Sequence, residues 1–303
     1  MSGARLRAVL QLEADLPEGV VSFSDADRFA ASRDLWPRHL IRLHQGLPSI
    51  LPEAVVRPTS TSMVQRVVVR CAQLGLSLVP YGAGSSVVGG ATSDAGQVVL
   101  DFKRMQRVVG IDPEARVVRA EAGVMGERLE RQLGRAGFTQ GHFPSSMYCT
   151  SVGGWIAARS AGQMSSRFGK IEDQVVGGRV VLGDGRCVEQ GALPGRSGAL
   201  ASLVGAEGTL GLWTEALMRI HPLPEVRHFQ GFWFPTLTAA FDASRAWLEA
   251  GISPSVIRIY DPLDTFLHKD AHGVHKAGDK GPSKLAWAGA TFPRLLNRLG
   301  NTL

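Results

Sequence analysis

The most informative stretch of this sequence is Pro80-Tyr81-Gly82-Ala83-Gly84-Ser85-Ser86. It follows the apolar pair Leu78-Val79 and combines glycine with hydroxyl side chains. Backbone N–H groups in a tight glycine loop can bind a phosphate anion without a charged side chain, because small residues let the anion approach the main chain. The loop does not fit the Rossmann fingerprint, which needs a third glycine. Taken alone, the loop has a plain turn as its alternative interpretation.

Two similar stretches follow, Thr150-Ser151-Val152-Gly153-Gly154-Trp155 and Glu207-Gly208-Thr209-Leu210-Gly211. The first begins a predicted helix, and the hydroxyls of Ser145 and Ser146 precede it. The start of a helix presents free N–H groups and a partial positive charge, although an N-capped helix packed closely on a sheet is the alternative. Three such loops in one domain-sized block would bring backbone against a large anionic cofactor. The sequence therefore predicts a site for flavin adenine dinucleotide (FAD).

The order of predicted elements indicates an α+β fold. A strand at 55–56, a helix that begins at Ser60 or Thr61 and ends at Gly75, and a strand at 78–80 form a β-α-β entry. Further elements follow the same apolar patterns. Strands are predicted at 98–101, 108–112, 117–121, 175–182, 187–188 and 212–220, and helices at 127–136, 152–159 and 199–204.

A second domain is predicted after residue 224, where glycine becomes less frequent. Strands at 229–234 and 256–260 flank a helix at 236–250. We predict an N-terminal arm at 1–34, a cofactor domain at 35–224 and an incomplete α+β cap domain at 225–303. The cap would be truncated, because the chain ends at Leu303 before a recognisable unit is complete.

Charge and cysteine content restrict the partners and the compartment. The net charge is +6, but cations alternate with anions, so nucleic acid is not predicted as a partner. The mild positive excess suits an anionic small molecule or an anionic membrane surface. The 3 cysteines show no metal-ligand spacing, and neither a signal peptide nor a membrane span stands out. We predict a cytoplasmic protein without a metal site, and leave peripheral membrane contact and a homodimer open.

Residues 80–86, 150–155, 169–173 and 205–211 also support a family resemblance. Their order and spacing resemble the two-subdomain FAD-binding domain of the vanillyl-alcohol oxidase type, also called the PCMH type. Within that superfamily the chain is most similar to the alkylglycerone-phosphate synthases. The stretches that carry this similarity are Glu121-Ala122-Gly123, Gly141-His142, Val152 to Trp155, Ile171-Glu172-Asp173 and Val256 to Asp261. The resemblance covers roughly residues 35–265.

The resemblance implies a role for each loop. Residues 80–86 would hold the pyrophosphate, residues 145–151 and 158–161 would line the flavin, and residues 207–213 would contact the adenine-ribose end or the flavin edge. The predicted cofactor-binding residues are Pro80, Tyr81, Gly82, Ala83, Gly84, Ser85, Ser86, Pro144, Ser145, Ser146, Thr150, Ser151, Gly153, Gly154, Ala158, Arg159, Ser160, Ala161, Glu207, Gly208, Thr209, Leu210 and Gly211.

The chain departs from the family pattern in three places. Ser85 and Ser86 stand where covalent members often have a histidine, so the FAD is expected to be non-covalent. Cys149 lies beside the predicted flavin site, and a core cysteine is the favoured interpretation. The family's C-terminal half carries a catalytic tyrosine, an arginine and a histidine cluster, which this chain does not reach. We interpret His268, His272 and His275 as loop histidines instead.

Two residues are predicted to be catalytic, and each has a simpler alternative. Arg258 stands where the synthases have an arginine needed for activity, and a guanidinium can grip phosphate oxygens. A solvent-facing arginine on a strand is its alternative. His142 could serve as a proton shuttle. A structural loop histidine is the alternative for this residue.

Three functional hypotheses follow. The first is a flavin-dependent transferase that, as the resemblance implies, exchanges the acyl chain of acyl-dihydroxyacetone phosphate for a fatty alcohol. The anionic, phosphorylated lipid would then be its small-molecule substrate. The second is a flavin oxidoreductase acting on a D-2-hydroxy acid or similar alcohol, because one cofactor domain serves both chemistries. The third is an inactive, truncated flavin-binding fragment.

Overall fold

A computed structural model describes residues 3–47, 50–190, 200–261 and 263–264. The chain divides into two units, Met1–His228 and Phe229–Leu303, and each is described by itself. The first unit contains a four-stranded sheet, a five-stranded sheet and a short two-stranded sheet. The predicted α+β class is confirmed, and two sheets account for the two subdomains.

The described elements are numbered in chain order. The helices are α1 Gly3–Ala14, α2 Asp25–Ala30, α3 Pro37–His44, α4 Thr61–Gln73, α5 Gly126–Arg135, α6 Val152–Ala157, α7 Ser165–Phe168, α8 Ile171–Gln174 and α9 Leu237–Glu249. The strands are β1 Val21–Ser22, β2 Ala54–Val56, β3 Ser77–Tyr81, β4 Gln97–Asp101, β5 Val108–Asp112, β6 Val117–Glu121, β7 Phe138–Thr139, β8 Val175–Val181, β9 Cys187–Gln190, β10 Leu212–Arg219 and β11 His221–Pro222.

The four-stranded sheet has the order β1-β2-β4-β3, and its last three strands are parallel. Helix α4 connects β2 to β3, as the sequence predicts. Ser60 caps the helix, because its Oγ accepts a hydrogen bond from the N–H of Met63 at 3.2 Å. The buried stripe of α4 contains Val64, Val67 and Cys71, which recur at helical spacing and pack into the core. This layer places the loop after β3 at the carboxyl edge of the sheet.

The described part of the predicted arm at 1–34, residues 3–34, belongs to this same layer. Val9 and Leu12 of α1 are fully buried in the core cluster that contains the apolar face of α4. Strand β1 pairs antiparallel with β2, which extends the sheet by one strand. We therefore treat the segment as part of the first unit. Leu6 and Leu10 of the same helix are exposed, so its apolar residues do not mark a single buried face in the sequence.

The five-stranded sheet has the order β5-β6-β10-β8-β9, and every pairing in it is antiparallel. Strand β10 is central and buried along most of its length, because neighbours flank it on both edges. Its Met218 is completely buried in a second core cluster with Ile156 of α6. Helix α6 is therefore fixed against this sheet.

The second unit differs from its prediction. Helix α9 begins after Thr236, whose Oγ1 accepts from the N–H of Ala239 at 3.1 Å, as the sequence predicts. The strands predicted at 229–234 and 256–260 are wrong, since neither segment forms a β-strand among the described residues. A strand needs a hydrogen-bonded neighbour, and these segments pair with no described residue. Among the described residues, no helix is long and apolar enough to cross a membrane.

Candidate functional site

One cavity of about 240 Å³ is lined by residues from three segments. These segments are the loop after β3, helix α6 and the segment that leads into β10. All three glycine-rich stretches of the sequence contribute to its wall. The predicted residues that line it are Pro80, Tyr81, Gly82, Ala83, Gly84, Ser85, Ser86, Ser146, Thr150, Ser151, Gly153, Gly154, Ala158, Ser160, Glu207, Gly208 and Gly211. The tertiary structure thus brings together residues up to about 130 positions apart in the chain.

The loop after β3 lines the cavity and has backbone donors that the protein does not use. Within the part of the chain that the structure describes, the backbone N–H groups of residues 83–86 donate no hydrogen bond to the protein. Gly84 adopts a φ of 69°, and a Cβ there would lie 2.1 Å from the Tyr81 hydroxyl oxygen. That hydroxyl donates to the carbonyl oxygens of Ala30 and Arg33 at 3.1 Å each, and burial raises the pKa of Tyr81 to about 12. The loop is therefore held rigidly with free N–H groups, as an anion site requires.

The second stretch contacts the first through Gly82 and Ser151. A Cβ at Gly82 would lie only 2.4 Å from Ser151 Oγ, so the two segments are in direct contact. Ser151 Oγ also caps α6, because it accepts from the N–H of Gly154 at 3.2 Å. Only glycine at position 82 allows this approach.

The free N–H groups predicted at the start of α6 are not found. The N–H of Val152 donates to Val124 O at 2.9 Å, and the N–H of Gly153 donates to Ala122 O at 2.8 Å. Together with the Ser151 cap, these bonds use the first donors of the helix. The alternative interpretation, a capped helix packed closely on its neighbours, is therefore right for the backbone. The small side chains of α6 still line the cavity.

The third stretch completes the wall. Gly208 has a φ of 82°, and a Cβ there would lie 2.4 Å from Pro80 Cγ. Glu207 has a φ of 49°, an uncommon value for a residue with a side chain, and its N–H donates to Ala157 O at 3.1 Å. These contacts hold the third loop against both the first loop and α6.

Six predicted cofactor residues do not line the cavity: Pro144, Ser145, Arg159, Ala161, Thr209 and Leu210. Arg159 has a different role, because its Nε pairs with Glu172 at 3.1 Å and its Nη2 donates to Val204 O at 2.8 Å. Leu210 is exposed. A short motif cannot specify which of its side chains point inward, and this explains why the predicted set is too wide.

Sequence reasoning missed several wall residues: Val88, Gly90, Ala91, Phe102, Ala122 and Ala157. Ala122 belongs to the stretch Glu121-Ala122-Gly123 that supports the family resemblance, so a signal was available for it. Phe102 directly follows β4, and parallel strands end at one edge of the sheet. Val88, Gly90 and Ala91 have no distinctive pattern and are brought in by the loop that continues from residues 80–86, whereas Ala157 lies in α6.

His142 does not line the cavity but contacts two residues that do. Its ring is completely buried and packs edge-on against Trp155, with 4.9 Å between the ring centroids. Its Nε2 lies 2.7 Å from Ser160 Oγ. Burial lowers the pKa of His142 to about 4, so the ring is neutral near pH 7. This environment is that of a buried structural or positioning histidine, whose ring does not itself face the cavity.

The buried ring makes stability depend on pH. The pKa of His142 is lowered in the folded state, so its contribution is complete above the unfolded value of about 6.5 and is lost as pH falls toward 4. We expect wild-type protein to lose about 2 kcal/mol more than the His142→Asn variant between pH 7 and pH 5. Urea unfolding at both pH values measures this difference. Equal losses in the two proteins would contradict the assignment.

Cys149 corrects one prediction, because it is exposed and is not a core cysteine. It ends a short 3-10 turn, Met147–Cys149, in which Met147 provides the buried side chain. A turn of this kind buries one side chain and leaves its neighbours outside, so Tyr148 is exposed as well. Cys149 does not line the cavity.

Arg258 lies in the second unit and is exposed. Its Nη1 lies 3.5 Å from the Tyr260 hydroxyl, and the segment around it forms no strand. Its catalytic role stays a prediction. His268, His272 and His275 lie outside the described residues. Among the residues that the structure describes, no group of three or more His, Cys, Asp or Glu side chains could hold a metal ion.

Comparison with known proteins identifies the cofactor of this domain. Residues 52–191 match the family described as the FAD binding domain. The chain contains a PCMH-type FAD-binding domain. The matched range holds two of the three glycine-rich stretches, and the predictions of the superfamily and of FAD as cofactor are confirmed.

The relatives support the same domain. An alkyldihydroxyacetonephosphate synthase of Trypanosoma brucei brucei is 36% identical over 243 residues, covering 78% of this chain and 38% of the relative. A glycolate oxidase subunit of Bacillus subtilis is 29% identical over 251 residues, covering 82% of this chain and 52% of the subunit. A solved alkyldihydroxyacetonephosphate synthase has a TM-score of 0.80 and 31% identity, covering 86% of this chain and 49% of that one. The chain thus spans between about two fifths and one half of the proteins it matches.

The residues of the cavity fit FAD. Glycine at positions 82, 153 and 208 lets the segments of the wall pack directly against one another, because a Cβ at each would meet Ser151, Ala122 or Pro80. The unused N–H groups of residues 83–86 can donate hydrogen bonds to the oxygens of the pyrophosphate, which carries two negative charges. Apolar groups such as Phe102 and Trp155 suit the flat ring system.

Proposed function

We propose that this chain is the cofactor-binding part of an FAD-dependent enzyme that exchanges the acyl chain of acyl-dihydroxyacetone phosphate for a fatty alcohol. The observation that carries the proposal is the similarity to a solved alkyldihydroxyacetonephosphate synthase over 86% of this chain. The family match over residues 52–191 adds support, because it includes two of the three loops that line the cavity. Bound flavin would supply the chemistry of the exchange, and the protein would orient it.

The chain's own residues would hold and shield the cofactor. The loop at 83–86 would bind the pyrophosphate through backbone donors, without the desolvation cost of a buried lysine or arginine. Trp155 and Phe102 are buried, and they would exclude water from one side of the cavity. Arg258 would bind the phosphate of the substrate, in line with the arginine of the synthases.

An oxidoreductase is the second candidate, and one observation favours it. The relatives include a glycolate oxidase subunit that covers 82% of this chain, compared with 78% for the Trypanosoma brucei brucei synthase. Under this hypothesis the chain would hold FAD for the oxidation of a D-2-hydroxy acid, and an arginine would bind the substrate carboxylate. The two hypotheses differ in substrate and in net redox change.

One experiment separates the hypotheses. The FAD-loaded chain is incubated with acyl-dihydroxyacetone phosphate and a radiolabelled fatty alcohol, and in parallel with glycolate or D-lactate and a redox dye. Ether-lipid product without dye reduction supports the synthase, and dye reduction with the hydroxy acid supports the oxidoreductase. FAD binding without either activity favours the third hypothesis, an inactive flavin-binding fragment.

Arg258→Lys, which retains the charge but loses the planar fork, should lower synthase activity at least about ten-fold.

The bound flavin is expected to be non-covalent. Within the described chain, neither a histidine nor a cysteine lines the cavity, so no usual attachment site faces the cofactor. Acid precipitation of the FAD-loaded protein should therefore release essentially all of the flavin absorbance into the supernatant. Yellow colour that stays with the precipitated protein would contradict this expectation, and peptide mapping would then identify the attached residue.

We further propose that the substrate is a phosphorylated lipid and that the protein contacts an anionic membrane surface. Helix α3 supports this proposal, because Leu40 and Ile41 are about half exposed beside the exposed Arg38. Replacing both Leu40 and Ile41 by serine should reduce flotation with anionic vesicles at least about five-fold. Val109→Ser, at an equally exposed apolar position on β5, is the matched control and should float normally.

A cytoplasmic location and a homodimer stay predictions. Cell fractionation would test the location, and sedimentation would test the oligomeric state.

A further inference from the structure

A partly buried hydrogen bond connects His142 to the wall of the FAD cavity. His142 Nε2 lies 2.7 Å from Ser160 Oγ, and Ser160 lines the cavity. The backbone of Ser160 is fixed on both sides, because its N–H donates to Trp155 O at 3.0 Å and its carbonyl accepts from the N–H of Ile171 at 3.2 Å. The hydroxyl therefore has a defined position relative to the cavity.

The other ring nitrogen of His142 indicates which atom carries the proton. Nδ1 is buried and has no hydrogen-bond partner among the described residues. A proton on Nδ1 would create a buried N–H donor without an acceptor, which is rarer and more costly than an unused acceptor lone pair. The neutral ring therefore carries its proton on Nε2 and donates to Ser160 Oγ.

This direction of the hydrogen bond determines what Ser160 can do. Because its oxygen accepts from His142, its own proton is not used by the ring and can be donated elsewhere. If Ser160 instead donated to His142, it could only accept in the cavity. We propose that His142 is a positioning residue that makes Ser160 a hydrogen-bond donor to bound FAD. The inference rests on FAD occupying the cavity and is independent of which reaction the flavin serves.

The tautomer of His142 is the direct test. Nitrogen NMR of histidine-labelled protein, with the His142 signals assigned by their loss in His142→Asn, should show the proton on Nε2. Ser160→Ala should shift these signals, whereas Ser146→Ala, at another serine of the cavity wall, should not. A proton on Nδ1 would overturn the proposal, because Ser160 would then be the donor to the ring.

Flavin binding provides the second readout. Ser160→Ala should shift the visible absorption bands of bound FAD and weaken its binding about five-fold, the effect of losing one hydrogen bond. Ser160→Thr keeps the hydroxyl and should largely restore both properties. An unchanged spectrum and affinity in Ser160→Ala would overturn the proposal. Neither readout needs turnover, so failure of the proposed enzymatic activity would leave both measurements valid.

Discussion

Gly82→Val is expected to reduce FAD affinity on the order of 100-fold, about 2.7 kcal/mol, while the protein remains folded. Even a Cβ at position 82 would lie 2.4 Å from Ser151 Oγ, and the two branches of valine would add atoms beside it. The first and second glycine-rich stretches could then no longer touch. The N–H groups of residues 83–86 would move away from the position proposed for the pyrophosphate.

Fluorescence titration of the apo protein with FAD measures this effect. The matched control is Gly134→Ala in α5, where an added Cβ meets nothing within 4 Å. It should bind FAD as the wild type does and raise the unfolding free energy by up to about 1 kcal/mol, because alanine favours the helix. Normal FAD affinity in Gly82→Val would mean that this loop is not where the pyrophosphate binds.

Trp155→Ala is expected to have the largest effect on stability, a loss of about 3–5 kcal/mol of unfolding free energy. The indole is almost fully buried in the core that supports the second sheet. It also packs so closely on α5 that a Cβ at Gly126 would lie 2.4 Å from its ring. Its removal would leave a void between α5, α6 and the ring of His142, and would also open the cavity wall.

Trp155→Phe is the matched control for this prediction. The indole Nε1–H has no partner among the described residues, so phenylalanine gives up ring area but no protein hydrogen bond. We expect a loss of about 1–2 kcal/mol, measured by urea unfolding of the apo protein. If Trp155→Ala and Trp155→Phe lost similar unfolding free energies, packing of an aromatic ring at this position would not account for the stability.

Local signals explain why much of the fold could be predicted from the sequence. Ser60 marks the start of α4, the spacing of Val64 and Val67 marks its buried face, and Gly137 follows the end of α5 with a φ of 80°. Each signal lies within a few residues of the structure it specifies. The strand predictions failed at 229–234 and 256–260, because a strand depends on a partner elsewhere in the chain.

The candidate site divides in the same way. Three glycine-rich loops in an order typical of an FAD site could be recognised from the residues alone, because glycine is required wherever backbone must approach closely. Which residues face the cavity depends on how the chain folds. In the folded chain Arg159 forms an ion pair with Glu172. The first N–H groups of α6 donate to backbone carbonyl oxygens of the protein. Folding also adds Phe102 and Ala122 to the wall and places His142 behind Ser160. Side-chain direction and donor use depend on neighbours distant in the sequence, and no local pattern encodes those neighbours.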